Sequence, residues 1–196
     1  MPGPVSFTPL PDVLAPRLPV VFVGINPSIA SGLAGHHFAS PGNPFWRLLH
    51  ASGFTPAPFE PADDVRLVEL GLGLTNLCPR PTRSAAELTR SEHEVGVREL
   101  LRKLDAFRPS VVALVGVTLA RIVLPESREA GPGPRAGPLA GARVFVLPNP
   151  SGRNAAYPSF ESKLEWFVRL RATCRPSPVD RPRGSRTWSS RRRFSV

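Results

Sequence analysis

The chain has 196 residues, 41% of them hydrophobic, and carries a formal net charge of +10 from 25 basic and 15 acidic side chains. That length and apolar content suit a single globular unit with its own core. Its two cysteines, Cys78 and Cys174, exclude a disulfide framework, and they exclude an iron-sulfur cluster or four-cysteine zinc site held by this chain alone.

Residues 1–19 read as an irregular lead-in, broken by prolines at 2, 4, 9, 11 and 16. These prolines and the lack of a basic start argue against a secretory leader, and no apolar run approaches membrane-spanning length, so a cytoplasmic protein is expected. "LPVVFVG" follows as a short, continuous apolar run of the kind that makes an interior strand of a parallel sheet. It empties into a loop over 28–44 that is rich in Gly, Ser, His and Pro, long enough to suggest a binding role.

"NPFWRLLHASG" predicts a helix, with Asn43 as cap, Pro44 at the first helical position and Gly53 past the end. A weak helical stretch over 64–70 leads to "GLGLTNLCPRPT", a short strand ending in a polar, proline-rich loop. "SEHEVGVRELLRKLDAF" is the clearest helix, with Ser91 and Glu94 in capping-box spacing and Val95, Leu100, Leu101 and Leu104 recurring at helical spacing. "SVVALVG" is a second buried-strand signal, then a helix "VTLARIVL", then the Gly- and Pro-rich "REAGPGPRAGPLAG", which reads as an exposed loop. "ARVFVLPNPSG" repeats the pattern of strand into polar turn, and "YPSFESKLEWFVRLR" supplies the last helix.

This alternation predicts an α/β fold: a single-domain three-layer sandwich with a mostly parallel central sheet and helices on both faces. The domain is expected to span 20–170 and to be followed by an arginine-rich tail over 171–196. That tail holds eight arginines and one acid, Asp180, and so carries +7 of the total charge; it suits a polyanion. Only Lys103 and Lys163 among the basic residues are not arginine, and arginine favours bidentate phosphate contacts. Arg80 and Arg83, beside a proline-rich turn, are candidates for such contacts.

Gly24 opens neither of the two glycine-rich phosphate loops, G-x-G-x-x-G or G-x-x-x-x-G-K-[ST]. No nucleophile elbow of the form G-x-S-x-G is present. His36 and His37 are adjacent, His50 and His93 sit on helices, and surface or capping roles suffice for all of them, so no metal and no cofactor is expected. What repeats is an asparagine, proline and serine after a buried strand, "INPS" and "PNPSG", with a third asparagine, Asn76, ending another strand. In open α/β sheets such strand ends gather along the ligand-binding edge. Asn-Pro also makes a stiff turn without any ligand. A carboxamide is too weak a base to take a proton at neutral pH, yet its oxygen can orient a water and its nitrogen can donate twice.

"VFVGINPSIASG…HHFASPGNPFW", "GLTNLCPRPT" and "VLPNPSGRN" together resemble the mismatch-specific uracil and thymine DNA glycosylase family. The resemblance covers most of the chain from Val20 to Arg169. It implies a monofunctional enzyme that flips uracil out of double-stranded DNA opposite guanine, hydrolyses its N-glycosidic bond and leaves an abasic site for downstream repair enzymes. By the same resemblance Asn26 positions the hydrolytic water, Phe38 stacks on the flipped base, and Ile25, Ser28, Asn76 and Asn149 complete the base pocket. Arg153 would fill the vacated place as a wedge, with Gly152 and Asn154 meeting the opposite guanine. Ser28 stands where the family more often has glycine, Asn76 where lysine is familiar and Arg153 where bacterial members often have leucine, which leaves uracil as the safest substrate and opens the question of thymine. A broader uracil or damaged-base glycosylase, active also on single strands, and a non-catalytic mismatch-binding protein are the competing readings. No membrane partner is implied, and one subunit suffices to flip one base, so a monomer is expected.

Overall fold

The computed structural model describes residues 9–127, 129–151 and 155–174. The apolar runs become strands β1 (Val20–Gly24), β2 (Leu72–Asn76), β3 (Val111–Val115) and β5 (Arg143–Leu147), with a two-residue β4 (Gly133–Pro134) between the last two in sequence. They form one sheet in the order β2-β1-β3-β5-β4, parallel throughout except for β4. The chain moves outward from β1 to β2 and then returns to place β3 on the other side of β1. The crevice above the carboxyl ends of β1 and β3 is therefore the topological switch point, where ligands bind in open α/β sheets. In register, Gly24 lies beside Asn76 at that edge.

Both faces of the sheet are covered, because successive strand residues point to opposite sides. Val20, Phe22, Leu72, Leu74, Val111, Ala113, Val115, Phe145 and Leu147 pack against α2 (Phe45–Ala51), the 3-10 segment Pro61–Leu70 and α5 (Phe160–Thr173). Val21, Val23, Val112, Leu114, Val144 and Val146 pack against α3 (Arg90–Phe107) and α4 (Val117–Val123). Phe22 anchors the first layer, edge-on to Phe45 and Phe54 at 5.7 and 5.5 Å between ring centres. The three-layer sandwich is thus the architecture that the alternating strand and helix signals predict.

Several local expectations are corrected. The loop over 28–44 contains a short helix, α1 (Ile29–Ala34), whose cap is Ser28: its Oγ accepts from Ser31 N at 3.0 Å. The capping box of α3 is Thr89 and Glu92, two residues before the expected pair; Glu92 N donates to Thr89 Oγ1 and Thr89 N donates to the Glu92 carboxylate at 2.8 Å. The Gly- and Pro-rich stretch before β5 is not wholly loop, since β4 closes the sheet edge there. Residues 9–19 are irregular but anchored: Val13 bridges antiparallel to Leu74, and Lys103 Nζ reaches Asp12 at 2.7 Å.

Val95 faces outward rather than inward, and Gly96 takes the buried position. The reason is contact distance: a Cβ on Gly96 would sit 2.5 Å from the backbone oxygen of Leu77. Gly96→Ala should consequently destabilise the fold by about 1–3 kcal/mol through overpacking, against the roughly 1 kcal/mol that alanine ordinarily adds to a helix. A lowered urea midpoint is expected; a raised one would show that α3 does not press on the Leu77 backbone.

Candidate active site

The turn after β1 is shaped by hydrogen bonds that continue past the ends of the strands. Leu77 N donates to Gly24 O at 2.8 Å, Cys78 N to Ile25 O at 2.8 Å and Thr82 N to Pro27 O at 3.1 Å. The loop leaving β2 thereby lashes down residues 24–27, and Pro79 and Pro81, with fixed φ and no N–H, stiffen the segment between the last two bonds. Asn26 sits inside this lashing. Its Nδ2 donates to Thr82 Oγ1 at 2.7 Å and Arg80 O at 2.9 Å, with Pro27 O at 3.1 Å. Among the described residues nothing donates to its Oδ1, so the acceptor end of the carboxamide is left for a ligand or water.

Asn26 lines a cavity of about 430 Å³ at the carboxyl edge of the sheet. Ile25, Ser28, Phe38, Asn76 and Asn149 line the same cavity. All six residues named from sequence for catalysis and the base pocket therefore come together, from loops that are far apart in the chain. Gly152, Arg153 and Asn154 lie outside the described residues.

Phe38 is held in the left-handed region, at φ 53°, a conformation that costs an aromatic residue about 1 kcal/mol or more. Its neighbours fix it there: His37 N donates to Asp64 Oδ2 at 3.1 Å, Trp46 Nε1 to His37 O at 3.2 Å and Ala39 N to Ser31 Oγ at 3.0 Å. The Phe38 ring stacks on Phe45, with 3.7 Å between centres and 16° between planes. Phe38 is thus both a cavity wall and an extension of the core. Ser28 has a supporting role, because its hydroxyl accepts from Ser40 Oγ at 2.6 Å and donates to Ser31 Oγ at 3.0 Å, tying the two ends of this loop together.

His37 is buried, contrary to the surface or capping role expected of it. Its Nε2 lies 2.9 Å from Pro11 O, which can only accept, so that nitrogen carries the proton. Nδ1 is then an acceptor and faces Asn76 Nδ2 at 3.4 Å. This sets the orientation of the Asn76 amide and brings its Oδ1 over Gly24, where a Cβ would collide with it. Gly24 ends β1 because only a residue without a side chain leaves that space.

Burial is the main influence on His37 and lowers its pKa, opposed by the Pro11 carbonyl and by Asp64 and Asp12. The unfolded chain takes up this proton near pH 6.5 and the folded chain only at lower pH. Between those values the unfolded state binds more protons, so stability is full above about pH 6.5 and declines as pH falls. A drop in urea midpoint between pH 7 and 5.5 that shrinks in His37→Gln is expected; an undiminished drop in that variant would assign the effect to another group.

Arg80, a candidate for phosphate contact, is engaged within the chain. It pairs with Glu92 at 2.6 Å and donates to Glu87 O at 2.9 Å, and this guanidinium, followed by the Thr89 N–H, holds the Glu92 carboxyl down at about 2. Arg83 does line the cavity. Neither lysine does: Lys103 is engaged by Asp12, and buried Lys163 donates to Pro158 O at 3.4 Å. Asn149 sits at the cavity rim, where its Oδ1 accepts from Ser151 N at 2.9 Å.

Sequence reasoning missed Thr82, Asp64 and His37 as parts of the site. Thr82 belongs to the quoted "CPRPT" run, but nothing in that run says that its hydroxyl faces Asn26. Asp64 carries no local signal, since its role arises only where the 3-10 segment meets the loop over 35–44.

A family model described as the Uracil DNA glycosylase superfamily matches residues 11–171. Among solved structures, the chain is similar to the solution NMR structure of a candidate uracil DNA glycosylase from Methanosarcina acetivorans. The identity is 22% over 83% of this chain and 97% of that one, with a TM-score of 0.48.

Proposed function

The chain belongs to the uracil DNA glycosylase superfamily, and on that premise we propose that it hydrolyses the N-glycosidic bond of uracil opposite guanine in double-stranded DNA, leaving an abasic site. The observation that carries this reading is the carboxamide of Asn26, tied back through its nitrogen with its oxygen unengaged among the described residues, in a cavity it shares with Phe38 and Asn76.

The uracil nucleotide first leaves the stack, which costs a few kcal/mol and least at a mismatch. The base then stacks on Phe38, whose ring is backed by Phe45. Uracil O4 and N3–H place an acceptor beside a donor. Asn76 answers with its second Nδ2 hydrogen and its Oδ1, because the first hydrogen is directed to His37. Cytosine reverses that pattern, and turning the amide to suit it would set Oδ1 against the acceptor nitrogen of His37. As the glycosidic bond stretches, negative charge grows on the base, and N–H donors aimed at it stabilise the transition state by about 3 kcal/mol each. Water accepted at Asn26 Oδ1 then reaches the sugar carbon.

Both lysines lie away from the cavity, which supports a reaction without a Schiff base that stops at the abasic site. Arg153 is assigned the wedge role, and Gly152 and Asn154 the opposite-guanine contact, on their sequence position directly after the rim segment Asn149–Ser151.

Duplexes with uracil opposite guanine or adenine, thymine opposite guanine, and single-stranded uracil test the specificity. G·U is expected to react fastest in single turnover, with A·U slower because a paired base costs more to flip. Equal rates on every uracil substrate would make this a broad-range enzyme. Selective mismatch binding with no base released would make it a binding protein.

A further inference from the structure

We propose that Thr82 is a positioning residue for the hydrolytic step, its hydroxyl fixing which end of the Asn26 carboxamide faces the water; this rests on the function proposed above. Thr82 is 3% exposed. Its hydroxyl proton is committed to Ser84 O at 2.8 Å, so it is a lone pair that meets Asn26 Nδ2 at 2.7 Å. Arg80 O, which can only accept, meets the same nitrogen at 2.9 Å. With Pro27 O at 3.1 Å, these acceptors surround Nδ2 and direct Oδ1 away from the loop.

The direction matters chemically. A water that donates to Oδ1 keeps a lone pair for the sugar carbon. A water that accepts from Nδ2 spends a lone pair on the amide and is poorly aimed as a nucleophile. Thr82 also donates its backbone N–H to Pro27 O at 3.1 Å, so one residue fixes both the backbone of the catalytic turn and the orientation of its side chain. Removing the hydroxyl leaves only Arg80 O and the adjacent Pro27 O to hold the amide, and the carboxamide would then spend most of its time off the orientation that aims the water.

Single-turnover uracil release from a G·U duplex, together with duplex affinity, tests this in Thr82→Val, Thr82→Ser, Asn26→Ala and the Thr82→Val/Asn26→Ala pair. Thr82→Val is expected to be about 10-fold slower with affinity unchanged, the size of effect that one lost hydrogen bond of about 1.4 kcal/mol produces. Thr82→Ser, which keeps the hydroxyl, should recover most of the rate. In the Asn26→Ala background Thr82→Val should cost nothing further, because the two side chains act as one unit. A full rate in Thr82→Val, a serine variant as slow as the valine one, or the same loss repeated on top of Asn26→Ala would each overturn the proposal while leaving the glycosylase reading intact. Wild-type release by Asn26→Ala would overturn the role of Asn26 and this inference with it. Should the valine variant not fold, Thr82→Ala removes the hydroxyl without adding bulk and is judged by the same outcomes.

Discussion

Asn26→Ala is expected to release uracil from a G·U duplex at least about 100-fold more slowly than the intact chain in single turnover, with duplex affinity nearly unchanged. On the proposed mechanism the carboxamide acts on water and not on the DNA backbone, so its loss should appear in the chemical step alone. Two features of the site make the effect large. The loop leaving β2 holds Asn26 through three backbone hydrogen bonds to the turn and two acceptors on its amide nitrogen, so the carboxamide is fixed in place and its loss removes that fixed acceptor from the cavity. An asparagine also cannot offer the negative charge with which a carboxylate would favour the developing sugar cation, so water placement is most of what this residue supplies. Intrinsic turnover should accordingly be slow. A full rate in the alanine variant would mean that the water is held elsewhere.

Phe38→Ala should lower single-turnover release by about 10- to 100-fold, following the 1–3 kcal/mol that a base gains by stacking on an aromatic side chain. Here the loss should fall on duplex affinity as well as on rate, because on the proposed mechanism the ring receives the base before the bond breaks. Phe38→Tyr, which keeps the stack on Phe45, should retain most of the activity. The strained backbone of Phe38 is set by its neighbours and not by its own ring, so the alanine variant should stay folded, as circular dichroism would show. Rates equal to wild type in Phe38→Ala would reduce Phe38 to a core residue that happens to face the cavity.

The four parallel strands were legible because each is a short apolar run, and their order followed from alternation with helices; β4, only Gly133–Pro134, has no such run and was missed. The six residues that line the cavity were named through resemblance, from "GINPS", "HHFA", "LTNL" and "PNPSG". Hidden from the sequence were the features that depend on two segments meeting. Thr82 faces Asn26 only because the proline-rich loop runs on in parallel beside the turn that follows β1. Asp64 orders the loop that carries Phe38 only because the 3-10 segment packs beneath it. Gly96 displaced Val95 from the buried face of α3 because the Leu77 backbone leaves no room for a side chain, a constraint that hydrophobic spacing does not register. The capping box slipped by two residues because T-x-x-E and S-x-x-E overlap in "TRSEHE", and hydrogen-bond geometry selected the first.

The most direct test of the account is release of free uracil from a duplex carrying one G·U pair, followed in single turnover with the state of the strand read before and after alkali. The account predicts that uracil is freed, that the strand stays intact until alkali cleaves it at the abasic site, and that borohydride traps no covalent complex. Absence of uracil release under these conditions would contradict it.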